Sequence, residues 1–350
     1  MTVRVLDLFC GCGGSSWGAH RAGAEIACGI DSWPVAIDVY NDNFPGAGVV
    51  QLITGDGDPS LISDRGPFDL VLASPECTNH TCARGARPRC ENSRLTARHA
   101  MNYVRYYRPR WVVMENVVHM RNWSRYNELL ELLENDLGYH VRRQVINAAD
   151  HGAPQSRKRL FLICDRESLP DEIAPLSSSS LPASSILDSV SAWTSKPLYT
   201  PSRARNTLLR AERGMQALPP FEDFLIVYYG SDAAGGWQKL DRPLRTLTTL
   251  DRFGLVSYRD GIPVLRMLQV PELLRAMGFD SGFRLERGTR REKVHMLGNG
   301  VCPPVMESVV RTLTGIIKKN GIHAESMLHS NLSISWMTST PGISERSSQN

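Results

Sequence analysis

The chain has 350 residues, which at roughly 150 residues per domain predicts about two domains. Its hydrophobic fraction of 42% and charged fraction of 22% exclude collagen-like, coiled-coil and wholly disordered chains. No stretch approaches the roughly 18 to 20 consecutive apolar residues of a membrane-spanning helix, and the first residues do not resemble a secretory signal. These features predict a soluble, cytoplasmic protein.

The basic residues are unusual in kind and in distribution. The net charge of +4 is too small to establish a polyanionic partner. Only six of the 40 basic residues are lysine, and arginine binds phosphates and guanine edges better than lysine does, although codon bias explains this equally well. Between positions 80 and 110, eight arginines stand against a single acid, Glu91. Such a run repels itself unless an anion lies beside it, so nucleic acid is a candidate partner.

The first 165 residues alternate short apolar runs with amphipathic stretches. This alternation predicts a mostly parallel sheet with helices on both faces. The predicted strands are 3–9, 25–30, 49–53, 68–73, 111–115, 141–147 and 159–164, and the predicted helices are 15–22, 34–43, 95–107 and 124–137.

After Cys164 the pattern changes. A Ser-rich stretch at 176–185 is typical of a linker, and weak periodicity up to about residue 240 suggests a small irregular domain. Pro303 and Pro304 open a helix predicted to end near residue 318, and the Ser-rich last 30 or so residues are predicted to be disordered. Eight cysteines lack the spacing of a disulfide framework or of a zinc site, so we expect reduced thiols and no metal.

Three strand ends carry the groups of a nucleoside-cofactor crevice. Gly11 and Gly13 follow the first strand, where glycines allow a ligand to approach the backbone and the start of a helix. Asp31 ends the second strand, where an acid can accept hydrogen bonds from a ribose, and Asp56 follows the third. A glycine turn alone is a weak signal, but three such strand ends in succession predict a cofactor site.

The next two strands end in candidate catalytic residues. Cys77 follows the fourth strand and precedes the arginine run, whose charge favours the thiolate, although a lone cysteine is more often a small buried apolar residue. Glu115 ends the fifth strand and is a candidate proton donor. Further on, Gln155, Arg157 and Arg159 lie at the entry to another apolar strand.

In order and content these segments resemble the DNA (cytosine-5)-methyltransferase family. D-L-F-C-G-C-G-G resembles its S-adenosylmethionine loop, P-E-C its nucleophile motif, E-N-V its glutamate motif and Q-S-R-K-R its Q-x-R-x-R motif. R-P-L-R-T at 242–246, E-L-L-R-A-M-G-F at 272–279 and G-N-G-V at 298–301 match later segments. The resemblance covers about residues 3–318. It implies an α/β fold, in which a Rossmann-like methyltransferase sheet carries a small irregular target-recognition domain.

The resemblance implies that a cytosine is flipped out of duplex DNA and methylated at C5 by S-adenosylmethionine. Cys77 would add to C6, and Glu115 would hold or protonate N3. Arg159 and Arg157 would contact O2 of the base and order the active-site loop. The residues implied to bind the cofactor are Phe9, Gly11, Gly13, Asp31, Ser32, Asp56, Asn299 and Val301, and those implied to bind DNA are Arg84, Arg87, Arg89, Gln155 and Arg245.

The resemblance also implies how the chain is divided. Residues 1–165 would form the catalytic and cofactor-binding domain and 166–241 the target-recognition region. Residues 242–319 would return to the catalytic domain with the late motifs and the terminal helix, and 320–350 would be a tail. We expect a cytoplasmic, DNA-associated monomer of bacterial or phage type, with a cognate restriction endonuclease acting separately.

Three positions depart from the family pattern. Glu76 precedes Cys77 where the family usually has Pro, and Thr78 follows it where Gln is usual; a carboxylate there opposes ionisation of the thiol. Ser32 stands where the family often has an aromatic residue against adenine. Two alternatives therefore stay open: an RNA cytosine-5 methyltransferase, and a nucleic-acid-binding protein with a degenerate active site. The short target-recognition region predicts a short target sequence or little preference.

Overall fold

The computed structural model describes residues 2–75, 95–176, 179–189, 191–229 and 235–316. Within these ranges no helix is long and apolar enough to cross a membrane, and no three His, Cys, Asp or Glu side chains converge on a possible metal position. Seven residues named in the sequence analysis lie outside the described residues, as does the predicted tail at 320–350: Glu76, Cys77, Thr78, Arg84, Arg87, Arg89 and Glu91.

Seven strands of the first half of the chain pair into one sheet. They are Arg4–Leu8 (β1), Glu25–Asp31 (β2), Gly48–Val50 (β3), Leu70–Ala73 (β4), Trp111–Val117 (β5), His140–Asn147 (β6) and Lys158–Asp165 (β8), with the short strand Gln155–Ser156 (β7) just before the last. The spatial order is β3-β2-β1-β4-β5-β8-β6. Pairs from β3 to β5 are parallel, whereas β8 is antiparallel to both of its neighbours.

Both faces of this sheet are covered. In β4, Leu70 and Leu72 belong to one buried apolar cluster, and Val71 and Ala73 belong to the other. The strand is buried along its whole length, as a central parallel strand between two helical layers must be. The prediction of a mostly parallel sheet that is covered on both faces is confirmed.

Eight α-helices surround the strands in the described part of the chain. They are Gly14–Ala22 (α1), Pro34–Asn43 (α2), Thr96–Tyr107 (α3), Tyr126–Glu131 (α4), Arg205–Ala217 (α5), Val270–Ala276 (α6), Arg290–Asn299 (α7) and Pro303–Thr314 (α8). The helix predicted over 124–137 is shorter, because α4 passes into a π-helical turn at Leu132–Asp136. Helix α1 packs closely on α8, since a Cβ at Gly18 would lie 2.4 Å from the carbonyl oxygen of Pro303.

The region predicted to be irregular contributes to a second sheet, which is antiparallel and has five strands. These are Lys196–Pro197 (β9), Phe224–Val227 (β10), Trp237–Lys239 (β11), Phe253–Arg259 (β13) and Ile262–Met267 (β14), in the order β11-β10-β13-β14-β9. Strand β10 is buried at every position, so its sequence lacks the alternation that marks a half-exposed strand. Strands of two to four residues are too short to give a periodic signal.

A third sheet has two strands. Leu244–Arg245 (β12) pairs in parallel with β7, which brings R-P-L-R-T beside Q-S-R-K-R. At the start of α6, Glu272 binds the guanidinium of Arg266 from β14 through two contacts of 2.7 Å, and both side chains are buried. Near the end of α6, the carbonyl oxygen of Ala276 accepts a hydrogen bond from Gln155 in β7. Helix α6 therefore contacts both the second sheet and the two-stranded sheet.

Candidate active site

The turn after β1 is built from residues in the left-handed region of backbone conformation. Phe9, Gly11 and Gly13 have φ values of 58°, 52° and 101°. The next residue, Gly14, lies so close to the late part of the chain that a Cβ there would be 2.4 Å from the carbonyl oxygen of Val301. Glycine is therefore required at this position by a close approach of two chain segments, and Val301 is held against the turn.

Asp31 fixes this turn from the neighbouring strand. One carboxylate oxygen accepts a hydrogen bond from the Gly11 N–H at 2.9 Å, and the other accepts one from the Trp33 N–H at 2.9 Å. Each oxygen keeps a second lone pair, so the carboxylate can still accept hydrogen bonds from hydroxyl groups of a ligand.

A cavity of about 480 Å³ lies at the carboxyl ends of the parallel strands. Its size is within the range of roughly 300 to 1,000 Å³ that is usual for small-molecule sites. Eight of the residues predicted to form the site line this cavity: Phe9, Gly11, Asp31, Ser32, Glu115, Arg159, Asn299 and Val301.

Two predicted cofactor residues do not line the cavity. Gly13 faces the ring of Tyr40, which a Cβ would approach to 3.1 Å. Asp56 lies on an exposed turn, where a hydrogen bond from Thr54 lowers the pKa of its carboxyl. The predicted strand 49–53 ends at Val50, so the chain leaves the sheet edge before Asp56. Their contact with the cofactor stays a prediction.

Glu115 and Arg159 form an ion pair in the cavity wall, with 3.1 Å between Glu115 Oε1 and Arg159 Nε. Antiparallel pairing of β5 with β8 sets Val117 opposite Arg159, which brings the two charged side chains together. Burial raises the pKa of Glu115, while the positive charges of Arg159 and Arg157 act in the opposite direction. The site thus holds a carboxyl group that keeps its proton more readily than an exposed glutamate.

Arg157 does not line this cavity. It is buried, and its two terminal nitrogens donate to the carbonyl oxygens of Leu247, Gly298 and Gly300 at 2.8 to 2.9 Å. These carbonyls belong to the R-P-L-R-T and G-N-G-V segments. The predicted contact of Arg157 with the base is corrected accordingly, because its terminal nitrogens already donate to these three backbone carbonyl oxygens.

The strand end that precedes Cys77 is also fixed. Asn116 donates through Nδ2 to the carbonyl oxygen of Pro75 at 3.1 Å, and the Ser74 N–H donates to Leu8 at 3.1 Å. Ser74 and Pro75 line the cavity. The asparagine of E-N-V therefore anchors the residue that lies two positions before the predicted nucleophile.

The two DNA contacts predicted within the described residues differ in outcome. Gln155 is fully buried; its amide donates to Ala276 and accepts from the Leu247 N–H at 2.7 Å. The prediction that it contacts DNA is corrected, because its polar atoms are used inside the protein. Arg245 is half-buried, and its side chain has no hydrogen-bond or ion-pair partner among the described residues, so it stays a candidate.

Among the cavity residues that the sequence analysis did not identify are Trp33 and His295. Trp33 and His295 pack with ring centroids 5.1 Å apart, and His295 Nε2 lies 3.2 Å from Asn299 Nδ2. Burial and the charge of Arg291 lower the pKa of His295. The available signals were the position of Trp33 two residues after Asp31 and of His295 one helical turn before Asn299.

Comparisons with known proteins agree with this geometry. A family model described as C-5 cytosine-specific DNA methylase matches residues 3–211. The type II methyltransferase M.HgiDI of Herpetosiphon aurantiacus is 34% identical over 165 residues, which cover 47% of this chain and 52% of that protein. M.HindV of Haemophilus influenzae is 33% identical over 165 residues, covering 46% and 52%.

Solved structures have the same fold as this chain. The crystal structure of S. pombe Dnmt2 methyltransferase superposes with a TM-score of 0.63 at 18% identity, covering 89% of this chain and 98% of that one. The chain spans about half the length of the curated relatives it matches. The family model, in contrast, matches well over half of this chain. The chain belongs to the family of C-5 cytosine-specific DNA methylases.

Proposed function

We propose that this protein transfers the methyl group of S-adenosylmethionine to C5 of a cytosine flipped out of duplex DNA. The observation that carries the proposal is the ion pair of Glu115 with Arg159. The pair lies in the wall of the same cavity as Asp31 and the glycine turn, and β5 is the direct neighbour of β4, the strand that leads to Cys77. A proton-holding carboxyl and a base-contacting cation beside a nucleoside crevice are what cytosine C5 chemistry needs.

The cavity fits the cofactor in chemical character. Phe9 and Trp33 offer aromatic surface for an adenine, and the fixed carboxylate of Asp31 can accept from ribose hydroxyls. Backbone at Gly11 and the side chain of Asn299 are available to the polar end. When bound, S-adenosylmethionine supplies an electrophilic methyl group; all other steps belong to the chain and the base.

Cytosine C5 is too weak a nucleophile to react unaided. The Cys77 thiolate forms a bond to C6, while Glu115 donates a proton to N3 and Arg159 holds O2, which makes C5 electron-rich. Burial supports this role of Glu115, because a raised pKa keeps a proton on the carboxyl. After methyl transfer a water molecule takes the C5 proton, the bond from sulfur to C6 breaks, and N3 returns its proton to Glu115, which restores the aromatic ring, the thiolate and the protonated carboxyl.

We assign Arg157 a positioning role, since three backbone carbonyls occupy its terminal nitrogens. Arg84, Arg87, Arg89 and Arg245 remain proposed DNA contacts. We also propose that the protein has the domain limits predicted from the sequence. It would act as a monomer in the cytoplasm, with a separate cognate endonuclease.

The test is transfer of labelled methyl from S-adenosylmethionine to mixed-sequence duplex DNA. Label is expected at C5 of cytosine, and Cys77→Ala should reduce transfer by at least about 10³-fold because no covalent adduct can form. Cys82→Ala, a thiol change five residues away, is the matched control and should retain activity. Trapping with fluorinated cytosine in DNA and in RNA distinguishes the two polymers, and label-free DNA despite demonstrated cofactor binding would contradict the proposal.

A further inference from the structure

A second cavity, of about 490 Å³, lies against helix α7. One wall is the loop between β12 and β13, at residues 249–252, and the other is the start of α7 with Arg290, Arg291 and Val294. The next residues of the same helix, His295 and Asn299, line the cofactor cavity. The two cavities are therefore neighbours that share one helix.

The lining of this second cavity is positively charged. It contains three arginines and one carboxylate, that of Asp251. Asp251 accepts two hydrogen bonds from Arg290, at 2.9 and 2.7 Å, so this pair is neutralised. Among the described residues, Arg291 has no hydrogen-bond or ion-pair partner, and Arg252 donates only to the Tyr228 carbonyl oxygen at 3.2 Å. Two arginine charges remain without a carboxylate.

A nearby acid does not cancel them. Glu292 follows Arg291 directly, but its carboxylate accepts from the N–H and the hydroxyl of Thr289 at 2.7 and 2.8 Å, in a capping box at the start of α7. Both hydrogen bonds reach Oε2 and hold the carboxylate at the helix start. Among the described residues Glu292 forms no ion pair with Arg252 or Arg291, so neither guanidinium is bound to a carboxylate.

The cavity is also fixed relative to the active site. A Cβ at Gly298 would lie 2.4 Å from the carbonyl oxygen of Thr248, so the loop rests on the backbone next to Asn299. Arg157 binds the carbonyls of both Leu247 and Gly298. An anion held at this cavity would therefore have a defined position relative to Glu115 and Arg159.

We infer that Arg252 and Arg291 bind a backbone phosphate of the DNA duplex beside the flipped nucleotide. The inference rests on the proposed function. Guanidinium groups bind phosphate oxygens through paired N–H donors, and such contacts set the register of a protein on a duplex without reading its sequence. Arg290 supports the cavity wall and does not bind the phosphate, because its guanidinium already donates two hydrogen bonds to Asp251.

The experiment is the salt dependence of binding to duplex DNA by Arg252→Gln, Arg291→Gln and the double variant. Because the two arginines share one phosphate, the double variant should reduce the slope of log affinity against log salt by about 0.9 and each single variant by less, equally on unrelated sequences. Arg284→Gln removes the same charge from an exposed loop and is the matched control, expected to leave the slope unchanged. Calorimetry with S-adenosylmethionine should give wild-type affinity for all variants.

The possible results separate the two claims. Unchanged slopes in the double variant, with wild-type protein that binds DNA, would overturn this inference and leave the proposed function standing. An equal reduction of the slope in Arg284→Gln would also overturn it, since the effect would then be one of net charge. If the wild-type protein binds no duplex DNA even at low salt, the inference and the proposed function both fail.

Discussion

Two buried carboxylates, Asp7 in the first sheet and Glu272 beside the second, are held in opposite ways. Asp7 in β1 is fully buried below the glycine turn; one oxygen accepts from the Ser16 hydroxyl at 2.7 Å, and among the described residues the other has no hydrogen-bond partner. Glu272, at the junction with the second sheet, is equally buried but binds both terminal nitrogens of Arg266 and two backbone N–H groups.

This difference reflects what each region has to do. The end of the parallel sheet carries the large cavity, and the buried carboxylate below it lacks one hydrogen bond, which costs stability. Helix α6 is held on β14 of the second sheet by a buried ion pair, and such a pair is stabilising only when every polar atom is satisfied. Three experiments test whether the two regions differ in this way.

The largest effect is expected at the junction. Glu272→Ala leaves the Arg266 guanidinium buried without a counter-charge, which should lower the free energy of unfolding by about 3 to 5 kcal/mol. Urea denaturation measures this loss. Asp42→Ala, which removes the more exposed ion pair with Arg287, should cost less than about 1 kcal/mol. Similar losses in the two variants would show that the junction does not depend on its buried pair.

The two arginines of Q-S-R-K-R should respond differently to lysine. Arg157→Lys removes the fork that binds three carbonyls and should cost about 2 to 4 kcal/mol of stability, because charged hydrogen bonds are lost in a buried place. Arg159→Lys should keep stability within about 1 kcal/mol and lower kcat about 10²-fold. Urea denaturation and methyl-transfer kinetics distinguish the effects, and the reverse pattern would contradict the assigned roles.

The third prediction concerns how the free energy of unfolding depends on pH. Burial raises the pKa of Asp7 to about 7 from an ordinary value near 3.8. The folded protein therefore keeps a proton that the unfolded chain releases, so the wild type loses stability as pH rises from about 4 to about 7. Asp7→Asn removes this loss and should gain about 2 to 4 kcal/mol relative to wild type between pH 4 and pH 8.

Unfolding at several pH values checks this prediction. Asp58→Asn is the control, because hydrogen bonds with Ser60 lower the pKa of the exposed Asp58, so that variant should show no such gain. A difference between Asp7→Asn and wild type that does not change with pH would mean that Asp7 is ionised in the folded protein throughout.

Much of the site followed from strand ends. Gly11, Asp31 and Glu115 were predicted from their places after apolar runs, and all three line one cavity. The reason is topological: parallel strands bring their carboxyl ends to the same edge of a sheet. Glu115 needed only the recognition of β5, since the register then set its position.

Other residues could not be assigned from local pattern. Gln155 and Arg157 look like exposed polar residues in the sequence, yet both are buried by segments about 90 residues or more further along the chain. His295 reaches the cavity only because α7 packs there. The predicted strand 49–53 is too long, because β3 ends at Val50 and the chain continues to Asp56 outside the sheet.

The amino-acid sequence is enough to predict the parallel sheet, the order of its motifs and the edge at which they meet, because these depend on short-range periodicity and on the chain direction of each strand. The folded structure is needed to see which arginine faces the cavity, where the second sheet forms and which charged groups have no partner among the described residues. Those outcomes depend on contacts between distant segments, and the burial of a polar side chain is set by whichever carbonyl or carboxylate the folded chain brings within hydrogen-bond distance.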